Sequence, residues 1–159
     1  MCHRDREIRS RAAAPELPEA LLKSYTDAVY RVDFAPTPVF LRVGEACPEL
    51  DLILERAGVR RFAFLSAANP GSAPLGEEEN RDRHQRLLGR LKECGLPAVA
   101  GESYEAVSGG WREASLFVAG LEREAAVALA REFGQLALLA GVSGEPVKLV
   151  LTSQAKVRD

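Results

Sequence analysis

The stretch RRFAFLSAANPGSAPLGEEEN, residues 60–80, decides the fold because it passes from an apolar run through a turn into an acidic segment. Residues 62–65 are apolar without alternation, which predicts a strand covered on both faces near the centre of a sheet. Leucines at helical spacing then predict a helix from about Glu77 to Cys94, ended by Gly95. The expected architecture is therefore a sheet with helices packed on it.

The rest of the chain supplies strands and helices on both sides of this stretch. Alternating apolar residues predict strands, and apolar residues every three or four positions predict helices. The expected helices lie at about 18–27, 48–58 and 121–133, and the expected further strands lie at 28–34, 39–43, 96–101, 114–120, 135–141 and 147–151. The turn-like segments APTP and VSGE predict hairpins between the first two and the last two of these strands.

This mixture of hairpins and helical connections predicts an α+β fold. We expect a single domain over residues 16–159, with a mixed, partly antiparallel sheet of about six to seven strands and helices packed on it. Residues 1–15 lack periodic apolar positions and are expected to form a flexible arm.

Composition argues against several classes of function. A formal net charge of −2 gives no broad positive field, so no nucleic-acid partner is expected. Three widely spaced cysteines and two histidines form no ligand set at zinc spacing, so we predict no metal and no cofactor. The longest uncharged apolar run, LALLAGV, is far shorter than the ~20 residues of a membrane-spanning helix. We therefore expect a cytoplasmic protein without a membrane partner.

The loop between Ala68 and Gly76 is the first candidate site. It is longer than the usual ~2–6 residues of a strand-to-helix connection, and it follows a strand expected to be central. A phosphate ligand is disfavoured, because glutamates at 77–79 crowd the amide groups that would bind it. A polar uncharged or cationic ligand is compatible with this loop.

Three polar side chains are the candidate ligand-binding residues of this loop: Asn69, Ser72 and Asn80. The alternative is a purely structural loop. Asn69 would then be extended because a proline follows it, and Asn80 would satisfy buried loop amides. Asn80 and His84 share a helical stripe with Leu87, so both are expected to point inward beneath the loop, His84 as an imidazole at the edge of the core.

The segment SGGWREAS, residues 108–115, is the second candidate site. Trp111 follows two glycines, where an indole either covers a pocket or caps the core. Glu113 opens the next strand, where a buried carboxylate needs a partner. The candidate partners are Arg42, Arg61 and Arg112. Gln135 follows a helix-ending glycine and can reach backbone at the end of the sheet, so Trp111, Glu113 and Gln135 join the candidate ligand-binding residues.

Five stretches resemble, in order and spacing, a family of small bacterial proteins catalogued as domain of unknown function 3293. They are AVYRV, AANPGS, EEENRDRHQRLL, WREASLFVAGL and AAVALAREFGQLALL, and the resemblance extends from about Tyr25 to Leu151. It implies a standalone bacterial cytosolic domain and assigns no activity. The positions that match the family's pattern are Asn69, Pro70, Ser72, Glu79, Asn80, Trp111, Glu113, Phe133, Gly134 and Gln135. Gly76 departs from a Ser-like residue that would form a capping box with Glu79, which favours a structural role for Glu79.

Three classes of function fit these observations. The first is a binding or regulatory module with a polar pocket near the 68–80 loop. The second is a small hydrolase or transferase that uses Glu113 or Glu79 as general base. The third is a protein-interaction domain or homodimer that uses the edge strand near VKLVL.

Overall fold

A computed structural model describes residues 17–107 and 110–153, and the arm expected at 1–15 lies outside them. The helices are α1 (Glu19–Asp27), α2 (Pro48–Ala57), α3 (Glu77–Glu93) and α4 (Arg123–Glu132). The strands are β1 (Val29–Val32), β2 (Val39–Leu41), β3 (Arg61–Ser66), β4 (Ala98–Tyr104), β5 (Arg112–Ala119), β6 (Ala137–Val142) and β7 (Lys148–Leu151). A single 3₁₀ turn, Pro70–Ser72, lies in the loop between β3 and α3. The predicted order of elements is confirmed.

The strands form one seven-stranded sheet in the order β2-β1-β4-β5-β3-β6-β7. Every neighbouring pair is antiparallel, so the α+β class is confirmed and the expectation of a mixed sheet is corrected. The reason lies in the connections. Parallel neighbours require a crossover that returns beside its starting strand. In this sheet, any two strands joined by a helix are separated by at least one other strand. Strands that are consecutive in the chain pair with each other only where a hairpin joins them.

Apolar cores lie on both faces of the sheet. On one face, Leu87 and Leu91 of α3 and Ala126 and Ala130 of α4 join a buried cluster that includes Leu65. On the other face, the second cluster contains these buried residues of α2 and the strands: Leu50, Leu54, Tyr30, Phe64 and Phe117. Both faces of β3 are thus covered, as its apolar run predicts. By contrast, α1 has no buried residue, and it lies at one end of the second face.

The hairpin of β4 and β5 is longer than the sequence predicts. Proline and glycine near its start suggest a weak strand, yet β4 continues to Tyr104 because each of its residues pairs with β5. Ser103 lies opposite Glu113, and the Glu105 amide donates to the Trp111 carbonyl at 3.1 Å. This pairing brings the Trp111 segment to the end of the sheet where β3 runs into its long loop.

Candidate functional site

A small cavity, which we call the polar hollow, lies where β3 ends, β5 begins and α1 covers the sheet. Its volume is about 40 Å³, and its lining combines polar and aromatic side chains with an apolar floor. The polar and aromatic lining residues are Tyr25, Tyr30, Ser66, Ser103, Trp111, Glu113, Ser115 and Gln135. The predicted site residues Asn69, Ser72 and Asn80 are not among these lining residues, but Asn69 and Ser72 are hydrogen-bonded to two that are, Glu113 and Tyr25.

The register of the sheet explains why these side chains converge. Residues directly opposite each other on antiparallel strands point to the same face. Tyr30 lies opposite Ser103, which lies opposite Glu113, so the three form one row across β1, β4 and β5. In the next row, Ser66 lies opposite Ser115. The hydroxyls of Ser103 and Ser115 are 3.2 Å apart and both residues are buried.

Glu113 is the ionisable group of the polar hollow. Its Oε1 accepts a hydrogen bond from Asn69 Nδ2 at 3.1 Å. Burial raises the pKa of the Glu113 carboxyl above its ordinary value, and the hydrogen bond from Asn69 opposes that rise. The Glu113 side chain is half-buried, and an uncharged amide is its hydrogen-bonding partner in the described part of the chain.

The expected pairing of Glu113 with an arginine is wrong. Arg112 pairs with Glu102, Arg61 is 3.6 Å from Glu122, and Arg42 donates to the Asp27 carbonyl at 3.3 Å. The alternation along β5 directs Arg112 to the face opposite Glu113. The sequence places Glu113 correctly at the start of the strand, but the partner comes from the loop after β3.

Asn69 and Asn80 form the hydrogen-bonded centre of that loop. Asn80 Oδ1 accepts from the Asn69 amide, and Asn80 Nδ2 donates to Asn69 Oδ1, both at 2.9 Å. Asn69 Oδ1 also accepts from the Leu75 amide at 2.9 Å. The side chain of Asn80 thus hydrogen-bonds to the loop, and it positions Asn69, which in turn donates to Glu113.

The expected extended backbone of Asn69 is also wrong. Its φ is 47° and its ψ is 64°, the left-handed region that non-glycine residues enter at a cost. Ser72 has a φ of 62° as well. Asparagine tolerates this region better than most residues because its side chain bonds to nearby backbone, as Asn69 Oδ1 does when it accepts from the Leu75 amide. Such residues concentrate at functional sites.

A second set of contacts ties the loop to the corner between α4 and β6. Gln135 Nε2 donates to the Ala68 carbonyl at 2.9 Å, and the Gly71 amide donates to the Gly134 carbonyl at 2.8 Å. Arg83 Nε donates to the Ala67 carbonyl at 2.6 Å, and its guanidinium also donates to the Phe133 carbonyl. The sequence analysis misses Arg83. Its position three residues after Asn80 on the same helical face was the available signal.

The polar hollow is closed by side chains of α1. Trp111 Nε1 donates to Ser24 Oγ at 2.8 Å, and the hydroxyls of Tyr25 and Ser72 are hydrogen-bonded. Tyr30 donates through its hydroxyl to the Tyr25 carbonyl at 2.5 Å. The half-buried indole packs against the second core and also reaches α1. The sequence analysis did not place Ser24, Tyr25 or Tyr30 at the site, because no local pattern shows that α1 folds back over β5.

Two further residues considered in the sequence analysis, Glu79 and His84, do not line the polar hollow. Glu79 is exposed and makes no side-chain hydrogen bond within residues 17–107 and 110–153, so the expected capping contact to Gly76 is absent there. His84 is half-buried on α3, and its Nδ1 has no hydrogen-bond partner in the described part of the chain. Burial lowers the pKa of His84, which keeps the imidazole neutral.

Within the described residues, no three side chains of the metal-ligating types cluster closely enough to hold an ion. None of the described helices has the length and apolar character needed to cross a membrane.

Comparison with known families agrees with the sequence resemblance. The family model described as "Protein of unknown function (DUF3293)" matches residues 65–138. The matched segment contains the loop after β3 and the start of β5, and it ends in β6, while the AVYRV stretch lies outside it. No curated protein and no solved structure matches the chain.

Proposed function

We propose that this chain, in which residues 65–138 carry the DUF3293 family pattern, is a binding module whose polar hollow receives a hydrogen-bond donor. The observation that carries the proposal is the desolvated Glu113 carboxyl with a neutral amide as its hydrogen-bonding partner. A buried carboxylate is stabilised by donors, and one from a ligand adds to the single donor that Asn69 supplies.

The ligand class follows from the charge and shape of the polar hollow. The described residues of the lining include the Glu113 carboxyl and no cationic side chain, so a small amine, amidine or amide is favoured and an anion is disfavoured. The present space of about 40 Å³ is close to that of a water molecule. A larger ligand therefore has to displace the Tyr25 side chain, which the exposed and lightly held α1 permits.

Titration followed by ¹⁵N–¹H NMR tests this proposal. The probes are guanidinium, methylammonium and urea as donors, with acetate as the anion, at constant ionic strength. We expect saturable shifts of the Trp111 indole and the Ser103 amide with at least one donor, and none with acetate. In Glu113→Gln the affinity for the cations is expected to fall about tenfold, because a charge-assisted hydrogen bond becomes neutral.

Glu79→Gln is the matched control, because it removes the same charge from an exposed site. It should bind the cationic probes like the unmodified chain. Equal losses in Glu113→Gln and Glu79→Gln, or no saturable shift with any donor, would contradict a donor site at Glu113.

A second candidate function is that of a small hydrolase or transferase with Glu113 as general base. Its support is that a desolvated carboxyl with a raised pKa is a stronger base than an exposed one. Glu79 is exposed to solvent and does not line the polar hollow, so Glu113 is the candidate base. A turnover assay over ester and amide substrates distinguishes the candidates: catalysis requires activity that Glu113→Gln abolishes and Glu79→Gln retains, whereas a binding module shows no turnover.

A further inference from the structure

A second cavity lies at the end of the sheet opposite the polar hollow. We call it the basic cleft; its volume is about 140 Å³, and Arg61, Arg123 and Lys148 line it together with Leu121, Gly141 and Val150. Strand β3 runs from Arg61 at the basic cleft to Ser66 at the polar hollow. At a rise of about 3.3 Å per residue Arg61 and Ser66 are roughly 16 Å apart, and the two cavities share no lining residue, so they are distinct sites.

Three cationic side chains from three different elements converge on the basic cleft. Arg61 begins β3, Arg123 begins α4 and Lys148 begins β7. Glu145 is the one carboxylate among the lining residues of this cleft. The chain as a whole has a net charge of −2, so the local excess of positive charge at the basic cleft is opposite in sign to the net charge of the chain.

The positive charges of the basic cleft exceed the negative charges of Glu122 and Glu145 beside them. Arg61 lies 3.6 Å from Glu122, and both side chains are more than half exposed, at 52% and 70%. Such a loose surface pair contributes little. Arg123 and Lys148 form no ion pair with any residue in the described ranges. They are available for a ligand.

The floor of the basic cleft suits the apolar part of a small anion. Helix α4 starts at Arg123, but Glu122 at its N-cap and Glu124 in its first turn crowd the first-turn amides with negative charge, so the donors to an anion are the cationic side chains. The floor includes the buried residues Leu121 and Val150. At Gly141 a Cβ atom would come within 2.5 Å of the Phe62 ring, so a side chain there would disturb the cleft.

We propose that the basic cleft is a second binding site, which takes a small organic oxyanion, a carboxylate or phosphate on a short apolar stem. Guanidinium and ammonium groups supply the charged donors, and Leu121 and Val150 contact the stem. The proposal is independent of the function assigned to the polar hollow, because the two sites share no lining residue.

The test is an NMR titration of the full chain with sodium butyrate and with inorganic phosphate, at an ionic strength held constant with sodium chloride. We expect saturable shifts of the Arg61, Gly141 and Lys148 amides, and no shift of the Trp111 indole. Butyrate binding tighter than phosphate identifies an apolar carboxylate as the ligand class, and the reverse order identifies a phosphate.

Two charge reversals, Arg123→Glu and Lys148→Glu, are expected to weaken binding at least tenfold each. Both residues are exposed, so the fold should survive, which circular dichroism checks. Arg86→Glu makes the same charge change on the exposed face of α3 and should bind like the unmodified chain. Equal weakening by Arg86→Glu reveals a nonspecific charge effect and overturns the proposal, as does the absence of saturation by either anion at 100-fold molar excess.

Discussion

The partly buried Glu113 carboxylate lowers the free energy of unfolding, as residues with a functional role often do. Its carboxyl accepts from Asn69, and burial raises its pKa, so the folded chain binds the proton more tightly than the unfolded chain does. In the pH range above the ordinary glutamic acid pKa, the ionised Glu113 therefore destabilises the fold, and stability falls as pH rises through that range. Residues at binding sites commonly carry such a cost.

The substitution Glu113→Gln should therefore stabilise the protein. Glutamine keeps the oxygen that accepts from Asn69 and removes the charge, so we expect the free energy of unfolding at pH 7 to rise by about 0.5–2 kcal/mol. The gain should shrink as pH falls toward about 4.3, the ordinary pKa of a glutamic acid, and disappear below it, where Glu113 is protonated in both the folded and the unfolded chain. Urea unfolding of both proteins between pH 4 and 8 measures it, and a gain that is independent of pH would contradict the role of ionisation.

At the scale of single residues, the sequence predicts where the polar groups lie better than which groups they contact. Trp111, Glu113 and Gln135 are all at the polar hollow because each stands at a strand or helix boundary of one sheet end. The pairing of Glu113 with Asn69 depends on the left-handed backbone of Asn69, and a following proline argues locally against that conformation. Because such a contact forms only in the folded loop, no local sequence pattern predicts it.

Among the elements, α3 connects the candidate site to the rest of the fold through the side chain of Arg83. Arg83 donates from the middle of the helix to the carbonyls of Ala67 and Phe133, and its guanidinium lies 6.0 Å from the centre of the Phe133 ring. One side chain thus joins the end of β3, α3 and the end of α4. The planar guanidinium can serve both carbonyls, whereas an ammonium group cannot hold the same geometry.

Removal of Arg83 should loosen this corner. We expect Arg83→Ala to lower the free energy of unfolding by about 1–3 kcal/mol, since the buried Ala67 carbonyl loses its donor and the Phe133 carbonyl keeps Gln135 Nε2 at 3.3 Å. Arg83→Lys should recover only part of that loss. Chemical denaturation measures both, with Arg86→Ala on the exposed face of the same helix as the control. A full recovery with lysine would show that charge, rather than the shape of the guanidinium, holds the corner.

Most element boundaries could be predicted because their causes are local. Pro48 opens α2 and Gly58, at a φ of 72°, ends it, and both signals stand in the sequence. The length of β4 and the antiparallel order could not be predicted in the same way. They depend on β4 pairing along its whole length with β5, and on helical connections that skip positions in the sheet.

For the molecule as a whole, α1 is the element with the weakest attachment. The two cores stabilise the sheet, α2, α3 and α4, while α1 has no buried residue and is held by contacts such as Tyr25 to Ser72 and Trp111 to Ser24. Elements with few buried contacts open locally without global unfolding. Strand β7 lies at an edge of the sheet, and the hypothesis that two copies of the chain pair through this edge remains a prediction.

Tyr25→Phe should free α1 while leaving the rest of the fold intact. The lost hydrogen bond is worth about 1 kcal/mol, so amide protons of α1 should exchange roughly fivefold faster. Amides of β3 should be unaffected, because global stability resides in the cores. Hydrogen exchange followed by NMR measures both, with Tyr104→Phe as the matched control. Unchanged protection in α1 would mean that Tyr25 does not hold the helix.

The strand order also sets the time course of folding. Strand β3 finds its neighbours only in β5, through Ser66 opposite Ser115, and in β6, through Arg61 opposite Val142. Closing such long segments costs chain entropy before any contact compensates for it, and sheets made from distant partners generally fold in milliseconds to seconds. During synthesis, the apolar β3 therefore emerges from the ribosome before its partners, and it lacks its β5 neighbour until residue 119 and its β6 neighbour until residue 142 has been added.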